Sequence, residues 1–207
     1  MMRRRSLRLF LAVLVATPCA AACVNGPRWE QTMARGKAAF DQGRLADAEA
    51  AFRDALAQAD RLHWLHPYQL ETNTELARLY FRQGRHADAR AALGRVVARL
   101  EALYTEAHPG LARLHHDMGR ASDLLNEHDV AEHHYRRALP VALARPVENQ
   151  LAYLYIDLAV NATRRGRRGE ATRFLDLAEA TAREYSPSRE IFEEIRQKRA
   201  ESGGGPA

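Results

Sequence analysis

The sequence predicts an all-α fold, a right-handed solenoid of about four helical hairpins closed by a C-terminal capping helix. Three observations lead there. The mark Gly43-Arg-Leu-Ala-Asp-Ala48 returns as Gly84-Arg-His-Ala-Asp-Ala89, then as Asn126-Glu-His-Asp-Val-Ala131 and Gly166-Arg-Arg-Gly-Glu-Ala171. Its alanines stand 41, 42 and 40 residues apart, and His66-Pro67 is repeated 42 residues later as His108-Pro109. Between the marks, apolar residues recur at helical spacing, with Ala48, Phe52, Ala55 and Leu56 on one face and Leu76, Leu79 and Tyr80 on another. A unit of this kind cannot bury its apolar face alone and must stack on its neighbours.

The chain opens on a segment that is not part of the stack. Arg3, Arg4, Arg5 and Arg8 precede the apolar run Leu9 to Ala16 and the small-residue stretch Thr17 to Cys23. That order describes an export signal over residues 1–22. The apolar run falls short of the ~20 residues that span a bilayer, although an uncleaved anchor is the competing reading. Ala20-Ala21-Ala22-Cys23 resembles a bacterial lipobox, with Ala20 where leucine is usual. No cysteine follows Cys23, so an exported chain has no partner for that thiol, and acylation gives it a role. The alternative is an ordinary Ala-x-Ala cleavage that releases a soluble periplasmic protein. With Val24 rather than Asp next, the resemblance to lipoproteins implies an outer-membrane location facing the periplasm. Residues 23–28 are expected to be the lipidated end and a short tether.

Residues 29–185 are the repeat domain. In each unit an amphipathic stretch ends at a Gly-Arg or Asn-Glu turn, and a second stretch carries the repeated alanine. Glycine supplies the left-handed backbone that a helix C-terminus commonly needs. Pro67 and Pro109 suit the first turn of a helix, where a missing N–H costs nothing. After the last unit, Ser186-Pro187-Ser188 interrupts the pattern. Residues 186–200 read as a cap, with Ser188 as N-cap and Ile191, Phe192 and Ile195 as its apolar stripe. Residues 201–207 read as a flexible tail.

In this register, residues 29 to 180 resemble the tetratricopeptide repeat family, and their period is similar to the longer repeats of kinesin light chains. The match rests on Gly36, Ala48, Phe52 and Ala55 in the first unit, and on Leu76, Ala77, Tyr80, Gly84, Ala89 and Leu93 in the second. Met118, Gly119, Ala131, Tyr135 and Ala138 carry the third, and Leu158, Ala159, Gly166, Ala171, Leu175 and Ala178 the fourth. Ala39 and Ser122 depart from it where an aromatic is usual, and Asn126 where glycine is.

The resemblance implies that the first helix of each pair lines a concave groove for a protein or peptide. Carried over residue by residue, Lys37, Arg78 and Arg120 share one place in successive units, Phe40 and Phe81 another. Arg82 and Arg164 follow on the same face, and Tyr153 with Ile156 and Val160 closes the groove. A basic ladder beside two aromatics would suit a segment with acidic residues. The bland alternative is a set of solvated charges. The resemblance also implies work in a secretion, pilus or envelope-assembly system. A structural accessory using its convex face is the alternative.

Other function classes find less support. Four of the 31 basic residues lie in the first ten and no acid precedes Glu30, so the remaining chain is nearly neutral, which removes the main argument for nucleic acid. His128 and Glu132, like Asp129 and His133, are spaced i, i+4, but neither pair has a third converging ligand. A His-rich metal-binding protein is therefore the weaker alternative. HExxH, CxxC, phosphate-loop and GxSxG patterns are missing. The sequence predicts no enzyme, no cofactor and no metal.

Overall fold

The computed structural model describes residues 25–61, 67–103, 108–147, 149–185 and 187–203. The export segment, Cys23, His66, Ser186 and the last four residues lie outside them. Among the described residues nine helices follow in order: α1 Asn25–Asp41, α2 Leu45–Asp60, α3 Pro67–Arg82, α4 His86–Leu103, α5 Pro109–Leu124, α6 His128–Ala144, α7 Gln150–Arg164, α8 Arg168–Tyr185 and α9 Arg189–Glu201. Among the described residues none of them is long and apolar enough to cross a membrane.

Each hairpin turn is built the same way. Gly43, Gly84 and Gly166 have φ of 75°, 72° and 73°, and Asn126 takes over in the third unit with φ 61°. Asparagine is among the few side chains that accept this region. The chain then reverses so that Arg44 N–H meets the carbonyl of Ala39 at 2.9 Å, and Arg85, Glu127 and Arg167 repeat the bond to Tyr80, Ser122 and Ala162. Orphan carbonyls at each helix end are satisfied. The prolines open α3 and α5 as the sequence predicts. Ser188 caps α9 by accepting from Ile191 N–H at 3.3 Å. The first helix starts at Asn25, inside the span expected as tether.

Each helix packs on the next, and the first helices of neighbouring units also touch, α1 on α3, α5 on α7 and α7 on α9. A right-handed solenoid results. The repeated alanines Ala48, Ala89, Ala131 and Ala171 are wholly buried at these contacts. Two apolar clusters meet at α5: Leu111, Leu114 and Met118 join the core of the first two hairpins, while Ala112 joins that of the last two and α9.

Polar staples tie unit to unit. The carboxylate of Glu49 accepts from Arg85 at 2.9 Å across the first junction. Across the second the signs are exchanged, Arg90 donating to Glu127 at 3.2 Å. Across the third Glu132 accepts from Arg167 at 2.7 Å, with Arg165 and Arg136 on the same carboxylate. The hydrogen bonds from Arg167 and then Arg136 hold the Glu132 carboxyl down to about 2. A second network joins hairpins three and four: Asp123, 5% exposed, accepts from Asn161 at 2.8 Å and from the Tyr135 hydroxyl at 3.1 Å, with His128 at 2.8 Å.

Candidate protein-binding groove

The residues expected to line a groove lie on α1, α3, α5 and α7. Its first half is made of stacked side chains. Phe40 is 5% exposed, with the guanidinium carbons of Arg78 and Arg82 each 4.8 Å from its ring centre. Arg82 also donates to the Phe40 carbonyl at 3.0 Å. Phe40 is thus a covered floor rather than a surface aromatic, because two arginines spaced i, i+4 on α3 close over it. Phe81 is half-buried, and Arg120 of the next unit lies 5.8 Å from its ring centre.

The basic ladder is present but opposed. Lys37 bonds Glu71 at 2.6 Å, an interaction that raises the lysine's pKa. Arg78 lies 3.7 Å from Glu75, and Arg120 lies 3.7 Å from Asp157. Arg164 stands 3.8 Å from Asp123. Only Arg82 among the arginines of this group has no acid in ion-pair range among the described residues. Two of these acids belong to a second ladder that sequence reasoning missed, in which Glu75, Asp117 and Asp157 share one place in units two, three and four. Their spacings of 42 and 40 residues match those of the alanines, so the signal was present.

Between α5 and the start of α7 lies a pocket of about 310 Å³ lined by Arg113, His116, Asp117, Arg120, Gln150 and Tyr153, among others. His116 Nε2 is 2.7 Å from Asp157. Burial is the main reason that the carboxyls of Asp117 and Glu194 are raised, and the nearby Asp157 charge adds to both. Burial, then the charges of Glu194 and Glu190 on α9, likewise raises the Tyr153 phenol. Sequence reasoning named Tyr153 but not Asn149, Gln150 or the α9 acids, which the capping helix brings to the groove.

The histidines serve as packing partners. The Nδ1 atoms of His115 and His134 lie 3.2 Å apart, and His115 Nε2 is 3.1 Å from Glu101. A carboxylate only accepts, so His115 donates from Nε2 and its Nδ1 accepts from His134. Among the described residues no group of three or more His, Cys, Asp or Glu side chains is arranged to hold a metal ion.

A tetratricopeptide repeat model matches residues 30–102 and 68–144. No curated protein matches the sequence. Among solved structures the chain is similar to BtubC (BKLC) from P. vanneervenii, at 19% identity and TM-score 0.75, covering 90% of this chain and 77% of that one. It is also similar to the tetratricopeptide-like repeats of a Podosopora anserina putative kinesin light chain, at 20% identity and TM-score 0.67, covering 86% and 97%. A third likeness is to the Rap conjugation gene regulator of plasmid pLS20, solved in complex with the Phr* peptide. There the identity is 10%, the TM-score 0.61 and the coverage 95% and 59%. At these identities the likeness establishes the fold.

Proposed function

The chain belongs to the tetratricopeptide repeat family, and from that premise we propose that it is a non-catalytic scaffold that holds a segment of a protein partner along the groove of α1, α3, α5 and α7. The observation that carries this reading is the groove's composition. Arginine–aromatic tiers at Phe40 and Phe81 give way to an open pocket at Tyr153, a run of planar and charged groups suited to an extended or helical segment. Support comes from the Rap regulator, a protein of similar fold solved with a peptide bound. Acidic residues of the partner find Arg82, the groove arginine without an opposing acid. On our reading Cys23 carries lipid and keeps the scaffold at the periplasmic face of the outer membrane, where it serves a secretion, pilus or envelope-assembly machine.

The test works whatever the partner is. A photo-crosslinking amino acid is placed in the full chain at Arg120 or Tyr153 in the groove, or at Arg136 or Arg173 on the second helices. Crosslinked species from the groove positions are the expected result. Adducts confined to Arg136 and Arg173 would instead establish a scaffold that works through its convex face.

A further inference from the structure

We infer that the cavity between α2, α3 and α4 is a binding site for a small carboxylate with an apolar body, its head on Arg95 and Arg99 and its chain against Leu56, Leu70 and Val96. None of these residues lines the proposed groove, so the site stands independently of it.

The cavity lies at the junction of the first two hairpins, at the end away from the glycine turns. Its volume of about 450 Å³ is within the range of small-molecule sites. The walls are apolar, with Leu56 from α2, Leu70 from α3 and Val96 from α4. Arg95 and Arg99, spaced i, i+4 on α4, both line the opening. Each donates to a neutral amide, Arg95 to Asn73 Oδ1 at 3.1 Å and Arg99 to Gln69 Oε1. Both amides are buried and so hold the guanidinium groups in place. Neither arginine has an acid in ion-pair range among the described residues. An amide oxygen is a weaker partner for a guanidinium than a carboxylate, which can accept two parallel bonds.

The next junction shows what such a place takes. Counted from the repeated small residues, Asp60, Asn73 and Arg95 correspond there to Glu101, His115 and Arg137. Those three close on one another: the Glu101 carboxylate receives Arg137 at 2.9 Å and lies 3.1 Å from His115 Nε2. Asp60 is one methylene shorter and accepts instead from Gln69 Nε2 at 2.9 Å. The first junction thus keeps the arginine and adds a second, Arg99, where α6 has Val141, but leaves both without the acid. With Arg95 and Arg99 against Asp60 alone, the lining carries a net positive charge. A carboxylate from outside takes the role that Glu101 has one unit on, and the apolar walls favour one that carries a hydrocarbon chain.

The experiment is isothermal titration of the purified full chain with octanoate, octylammonium and octanol, each below the concentration at which it aggregates. Octanoate should bind about ten-fold more tightly than either of the others. Arg95→Gln combined with Arg99→Gln should remove that ten-fold advantage and leave octanoate no better than octanol. Ala98→Trp fills the cavity from an exposed position on α4 that spares the core, and should block all three probes. Circular dichroism melts confirm that each variant is folded. Equal binding of octanoate and octylammonium, an octanoate advantage that survives the double substitution, or binding that persists in Ala98→Trp overturns the site. So does a natural chain that binds none of the probes, and the groove reading is untouched by any of these results.

Discussion

The ring of Phe52 occupies the space that a side chain on Gly36 would need: a Cβ there would come within 2.5 Å of the ring. Gly119 and Tyr135 repeat the relationship at 2.4 Å. In the second and fourth units alanine holds the glycine's place, at Ala77 and Ala159, and the aromatic's place is taken by Leu93 and Leu175. Small residue and ring are thus exchanged as a pair. Gly36→Ala should destabilise the fold by ~1–3 kcal/mol through overpacking, despite alanine's better helix propensity. Combining it with Phe52→Leu should cost clearly less than the two separate losses together. Urea unfolding of the four chains of this cycle measures the coupling, and strict additivity would show that the ring moves aside.

The repeated alanines make a related prediction at the contacts between helices. Ala89 and Ala131 are fully buried. Ala131→Leu should lower stability by ~1–3 kcal/mol, where an exposed alanine would tolerate the change within about half a kcal/mol. An unaltered melting temperature in both Ala89→Leu and Ala131→Leu would mean that the hairpins are spaced differently.

Acid should loosen the third hairpin before it affects the ion-pair staples. Two protonated rings at His115 and His134 would set N–H against N–H. Burial first, then the charges of His115, His133, Arg137 and Arg90, holds His134 down to about 4. Burial and Arg137 also lower His115, with Glu101 pulling the other way. The unfolded chain titrates near 6.5 and so binds more protons over this window. Stability is therefore full above about pH 6.5 and declines as the pH falls toward 4. Glu132, whose folded carboxyl titrates at about 2, weakens its staple only as pH falls through that lower range. Melting temperatures at pH 7.5, 6 and 5 should fall for the natural chain and stay flatter for His134→Gln. A natural chain with no decline would show that the histidine pair does not set the acid limit.

The lipidation proposed at Cys23 is open to a direct assay. Cys23→Ser should shift the protein from the membrane pellet to the soluble periplasmic fraction, because two or more acyl chains make attachment stable where one is marginal. Labelled palmitate should enter the natural chain and not the variant. Label that persists in Cys23→Ser would place the modification elsewhere.

Much of this architecture is legible without coordinates, for local reasons. Gly43, Gly84, Gly166, Pro67, Pro109 and Ser188 each report a backbone requirement within a few residues of themselves, and each is found in the role its chemistry predicts. Asn126 departs from the family pattern in residue type and still supplies the left-handed turn. The groove was less legible because its contacts run between units. Lys37 meets Glu71, 34 residues on, and Arg120 meets Asp157 of the following hairpin. The sequence shows that each cation recurs, but the rotation between stacked hairpins decides what it faces. Phe40 illustrates the same limit, since its cover comes from Arg78 and Arg82 one unit away. Glu190 and Glu194 enter the groove only because α9 packs on α7.

The junction staples alternate in sign, Glu49 with Arg85, Arg90 with Glu127, Glu132 with Arg167. A parity rule follows for the loss of internal units. Excising the second hairpin would bring Glu49 against Glu127, two carboxylates where a pair had been. Excising the second and third together would bring Glu49 against Arg167 and restore the match. Among internal deletions, removing both middle hairpins thus keeps opposite charges paired at the new junction, whereas removing either one alone does not.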